Sequence, residues 1–277
     1  MDAIKAQAIV CNLAALCIAT LVLGLVISWW IRRGATTGGL SMPGKVQAKP
    51  YDLLDLGVAG VLISYLTLPL IAATAQKATR TEAMPGSINT AIAIALLSLL
   101  LGICVFLFAS LLRGRNPVSL FGLSRLYPHK ILLWAAAAFL VAYPLMIGAV
   151  SLQEYFMGKG EQLQEVVRTL IGTDNPALKA VLASTAIIVA PLVEEIIFRG
   201  YFYAVIKRYS GCCFAAIMTS LLFAIVHGNL PGIVPLFTLS LILTLVYEIT
   251  GCLWVPIAAH SLFNAIQVSL MLNIQNG

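Results

Sequence analysis

Apolar runs of about twenty residues, the length that crosses roughly 30 Å of hydrocarbon as a helix, recur along the whole chain between short polar stretches. They fall near 9–31, 54–75, 88–112, 131–152, 178–208, 211–228, 233–250 and 252–272. This pattern predicts an all-α, polytopic membrane protein of about eight transmembrane helices. The first run ends in Trp29-Trp30-Ile31-Arg32-Arg33, an interfacial anchor without a small-residue cleavage site, so it is read as a span and not a signal peptide. Residues 153–177 break the pattern. There Leu163, Val166, Val167, Leu170 and Ile171 recur at helical spacing among Glu161, Glu165 and Arg168, which predicts a short amphipathic helix on the membrane surface. Three regions follow: N-terminal spans over 1–152, the amphipathic segment over 153–177, and a C-terminal group of about four spans over 178–277.

Composition agrees with membrane burial. Of 277 residues, 60% are hydrophobic and 10% charged, where a soluble domain carries about 25% charged residues. The net charge of +6 is no nucleic-acid signal. Its basic residues sit in pairs at the ends of apolar runs, Arg32 with Arg33, Arg113 with Arg115, Lys207 with Arg208, as topology-setting charge does. Ten Lys and Arg fall in the odd-numbered loops against six on the other side, which predicts cytoplasmic odd loops and extracytoplasmic termini. The six cysteines lie within or beside apolar runs and form no C-x-x-C pair, so buried small apolar side chains are expected rather than a zinc knuckle or disulfide framework.

Candidate chemistry is confined to the C-terminal spans. The stretch Pro191-Leu192-Val193-Glu194-Glu195-Ile196-Ile197-Phe198-Arg199 puts three charges inside an apolar helix, each costly unless paired or hydrated. Glu195 and Arg199 stand four apart with the acid first, the favourable order for a helix pair. Glu194, about 100° around the helix, lacks that partner and suits a general base. The span is long enough to require tilting or breaking, and Pro191 predicts a kink. In Phe223-Ala224-Ile225-Val226-His227, His227 lies 17 residues after Ser210, while Glu194 lies 16 before it. A tight turn between the two helices therefore places acid and imidazole at the same depth, about 25 Å from the turn. In His260-Ser261-Leu262-Phe263-Asn264, both polar residues share one helix face. They can hydrogen-bond a developing oxyanion or ligate a metal, and the spacing leaves both open. His129 and Glu248 are read as interfacial.

The order Glu194-Glu195-x-x-x-Arg199, Phe223-x-x-x-His227, His260-x-x-x-Asn264 resembles the motif series of the CPBP family, the CAAX proteases and bacteriocin-processing enzymes that include the Rce1-type prenyl-protein endopeptidases. The resemblance covers roughly 175–270. It implies an intramembrane endopeptidase in which Glu194 activates water with His227 beside it. Glu195 and Arg199 hold the site together, and His260 and Asn264 stabilise the oxyanion. It further implies a peptide or protein substrate, membrane-associated or lipidated, and a site opening to the cytoplasm. No cofactor is favoured; zinc held by Glu194, His227 and His260 is the alternative, and no zincin His-Glu-x-x-His is present. The rival readings are a non-catalytic scaffold or bacteriocin-immunity factor, and a transporter, for which the chain shows no internal repeat.

Overall fold

The computed structural model describes residues 44–48, 50–76, 88–158, 165–228 and 232–276. The expected first span, 9–31, lies outside them. Eight helices organise the described residues: α1 (Leu53–Gln76), α2 (Ile88–Ala109), α3 (Pro128–Met157), α4 (Glu165–Gly172), α5 (Pro176–Ser210), α6 (Cys212–Val226), α7 (Ile233–Thr250) and α8 (Trp254–Asn276). Five of them, α2, α3, α5, α7 and α8, are long and apolar enough to span a bilayer, and α1 and α6 contribute shorter apolar stretches. The protein is an all-helical integral membrane protein.

Its helix boundaries have local causes. Asn175 caps α5, its side chain accepting from the Ala177 and Leu178 N–H groups, with Pro176 in the first turn where no donor is missed. Gly251 ends α7 in the left-handed conformation. Another left-handed glycine, Gly122 at φ +63°, lies against it: a β-carbon there would stand 1.8 Å from the Gly251 carbonyl oxygen. These loops also join through the Leu253 N–H, which donates to the Phe121 carbonyl.

The long helix α5 remains continuous past Pro191, with π-helical turns at Thr185–Val189 and Ile196–Tyr203. Wider turns absorb the proline better than a break would, because they leave backbone carbonyls open to outside donors. Both are used: Ala186 O accepts from the Asn264 side chain at 2.8 Å, and Gly200 O from the Tyr51 hydroxyl at 2.9 Å.

Around α5 the remaining helices pack on all sides. Val193 seats against Gly102 of α2, and Phe198, Phe202 and Phe223 stack edge to face between α5 and α6. A second cluster joins Ala135, Ala138 and Ala142 of α3 to Leu239 and Leu243 of α7 and Ala259 of α8. Small residues on α3 let the backbones approach closely where the bilayer supplies no hydrophobic drive for helix association. Outward faces are leucine-rich: Leu97 is 62% exposed and Leu140 70%, as lipid contact requires. The α4 segment turns its own apolar side inward, with Leu170 fully buried beside Leu178, Leu182 and Val268.

One end of the bundle is tied by charge. Arg115 makes a two-pronged contact with the buried Asp55 at 2.5 and 3.0 Å, and Arg113 pairs with Asp52. A hydrogen bond from the Asp55 N–H, followed by the Arg113 charge, holds the Asp52 carboxyl below its ordinary value. Lys207 pairs with Glu248, which also accepts from the Tyr203 hydroxyl at 2.7 Å, while Lys207 Nζ reaches Val46 O at 3.1 Å. Glu248, expected at an interface, is thus committed to a cluster fastening 44–48 to α5 and α7.

Candidate active site

Three motif stretches on α5, α6 and α8 meet at one cavity. Its volume is about 550 Å³, and Glu194, Phe223, His227, His260 and Asn264 all line it. Glu195 and Arg199 stand just behind. Both are fully buried and joined at 2.8 Å between Glu195 Oε1 and Arg199 Nη1. The Glu194 side chain, 26% exposed, points to the cavity side.

Hydrogen bonding identifies one donor nitrogen on each imidazole. Glu195 Oε1 is a carboxylate oxygen already accepting from Arg199, so His260 Nδ1, 2.8 Å away, must donate to it. A neutral His260 then keeps Nε2 unprotonated, 3.9 Å from Glu194 Oε2. His227 Nδ1 lies 2.6 Å from the Phe223 carbonyl, which can only accept, so this nitrogen also donates; in a neutral ring Nε2 is then the acceptor. His227 sits just past the end of α6, where Gly228 at φ +64° turns the chain. The Phe223 ring is the packing centre, 4.6 Å from the His227 ring, 5.9 Å from the His260 ring, and 4.8 Å from Arg199 Cζ.

Asn264 has one amide N–H committed to Ala186 O in the first π turn. That leaves its second N–H for the cavity. The zinc alternative finds no support in the donor arrangement: among the described residues, no group of three His, Cys, Asp or Glu side chains is placed to hold a metal ion.

Some of the site was not foreseen. Tyr143, Met146, Ile147, Val150 and Ser151 of α3 line the cavity, although α3 carries no motif. Their spacing of three and four marks a single helix face, which is the only signal the sequence holds for them. Ser240 on α7, fully buried, receives Arg199 Nη2 through both Oγ at 2.8 Å and its carbonyl at 2.9 Å.

The cavity also has a direction. It takes residues 143–151 of α3, 185–194 of α5, 235–239 of α7 and 260–271 of α8. On α3, α5 and α7 this is the half of the helix farther from the Lys207–Glu248 cluster, and on α8 the lining spans the middle.

A helical membrane protein with a largely apolar cavity into which three spans bring polar motif residues is the class these observations define. Residues 176–266 match the family model described as type II CAAX prenyl endopeptidase Rce1-like. The chain is also 30% identical over 141 residues, 51% of its length, to the protein of Bacillus subtilis (strain 168) named "Putative membrane peptidase YdiL". It spans 57% of that relative's length. No solved structure matches. The match falls on α5 to α8, and this part of the chain is similar to the type II CAAX prenyl endopeptidases of the Rce1-like family.

Proposed function

We propose that the protein is an intramembrane endopeptidase in which Glu194 and His227 activate a water molecule. The observation that carries this reading is the acceptor-rich character of the cavity. The Glu194 carboxylate and the unprotonated Nε2 atoms of two imidazoles offer acceptors and few donors. A water molecule has the complementary pair of protons, and giving them to such acceptors leaves its oxygen lone pair for attack on a carbonyl. Exclusion of bulk water by a surrounding bilayer and bound peptide strengthens each of these interactions.

The steps balance as hydrolysis. Water loses a proton to Glu194 as its oxygen bonds to the scissile carbonyl carbon. The oxyanion takes the second Asn264 N–H, and His260 Nε2, 3.9 Å from Glu194, can accept a hydrogen bond from that carboxyl once it carries the proton. Glu194 returns its proton to the amide nitrogen as the C–N bond breaks, freeing amine and carboxylic acid products. Glu195 and Arg199 orient His260 throughout. No step is routed through a metal.

The substrate under this reading is a peptide with an apolar flank, since α3 and α7 supply mostly aliphatic lining; a lipidated C-terminal peptide fits that description. The site is read as opening to the cytoplasm, which puts the Lys207–Glu248 end on the opposite side. That reverses the orientation counted from charge. Support comes from the pairing of the counted residues: Arg113, Arg115 and Lys207 serve internal ion pairs, which accounts for their presence at that end without a topological role. A scaffold role would leave the acceptor arrangement at Glu194 unexplained.

In purified protein supplied with a peptide library in detergent, Glu194→Gln and His227→Ala are each expected to lower cleavage about 10²–10⁴-fold, the usual contribution of a general base, with the melting transition retained. Cleavage at the unmodified rate by Glu194→Gln removes the assignment. Activity is expected to survive a strong chelator.

A further inference from the structure

Ser240 belongs to none of the motif stretches, yet it lies at the end of a hydrogen-bonded chain that reaches the cavity. Arg199 Nη2 donates to Ser240 Oγ and O, Arg199 Nη1 to Glu195 Oε1, and His260 Nδ1 to the same Glu195 oxygen, all between 2.8 and 2.9 Å. His260 Nε2 then stands 3.9 Å from Glu194. We propose that Ser240 is a positioning residue for the active site: its hydroxyl fixes the Arg199 fork and, through Glu195, holds His260 in the tautomer that leaves Nε2 free toward Glu194.

The geometry makes the hydroxyl decisive. Phe223 covers the guanidinium at 4.8 Å, and Arg199 Nε has no partner among the described residues. The fork is therefore held in its plane by Glu195 at one nitrogen and Ser240 at the other. Without Oγ, Nη2 keeps only the Ser240 carbonyl, which already accepts from Thr244 Oγ1 at 2.8 Å. A buried charged donor left short of an acceptor pulls toward whatever oxygen it can reach. The unpartnered Glu195 Oε2 offers one, and a shift of Arg199 toward it frees Glu195 Oε1 to rotate away from His260.

The catalytic arm of the test rests on the protease reading. With a peptide that the unmodified full chain cleaves, Ser240→Ala is expected to lower kcat about tenfold at unchanged KM, the loss of one charge-assisted hydrogen bond acting on the chemical step. Ser240→Thr, which keeps the hydroxyl, restores it. Unmodified kcat in Ser240→Ala, or an equal loss in Ser240→Thr, overturns the proposal. A second arm needs no turnover: nitrogen NMR of ¹⁵N-histidine-labelled protein. His260 is expected as the single Nδ1–H tautomer in the parent and as a mixture in Ser240→Ala. A single unchanged tautomer in both overturns the proposal even if no peptide is ever cleaved, whereas absent cleavage with the tautomer change would sink the protease reading alone.

Discussion

At the scale of single residues, the buried pair behind the cavity is the most exposed to substitution. Arg199 and Glu195 are both fully inaccessible, and a charge left alone in such a place keeps its desolvation cost without its partner. Arg199→Met is expected to destabilise the protein by about 3–5 kcal/mol, read as a lower melting temperature in detergent. Adding Glu195→Gln should recover part of that loss, because the orphaned charge is gone. A double variant as unstable as the single one would mean that packing under Phe223, and not charge, sets the effect. The Glu195–Arg199 pair was legible because its spacing is local to one helix. The Ser240 contact was not: it joins residues 41 apart, and a serine in an apolar run ordinarily hydrogen-bonds within its own helix, as Thr244 does.

At the scale of elements, α5 shows what local pattern can and cannot say. Its length and Pro191 demanded some irregularity, and the sequence reading gave a kink. The structure places π turns on either side of the Pro191–Glu195 stretch, with Asn264 and Tyr51 at hand to satisfy carbonyls there, and partners on other elements are invisible to a reading of one segment. The amphipathic stretch shows the same limit. Its periodicity was plain, but the buried Leu170 meets α5 and α8 residues that periodicity alone does not name. Between elements, the Gly122 backbone lies close against the Gly251 carbonyl. Gly122→Ala combines a disfavoured left-handed conformation with a β-carbon 1.8 Å from an oxygen. It is expected to cost about 2 kcal/mol or more, measured as a fall in melting temperature. Gly148→Ala, whose β-carbon meets nothing within 4 Å, is the control expected to leave stability unchanged or slightly raised.

At the scale of the whole molecule, the cavity's position along the bundle makes the orientation in the membrane testable. A cysteine placed at Gln267, toward the cavity's far end, should react with a membrane-impermeant maleimide from the cytoplasmic face, and one placed at Arg208 from the other face, in a variant whose native cysteines are replaced by serine. The reverse labelling would restore the charge-counted topology and place the cavity mouth outside. By itself the sequence determined the membrane class, seven apolar helical segments and one amphipathic helix among the described residues, and the three motif stretches, because apolar length and helical spacing are local quantities that survive without neighbours. Only the tertiary structure decided where along the bundle the cavity lies, which nitrogen of each imidazole faces an acceptor, that α3 lines the cavity and that Ser240 holds Arg199. Those depend on distances between segments far apart along the chain, and in a bilayer such distances follow from side-chain packing and from the need to satisfy every buried polar group.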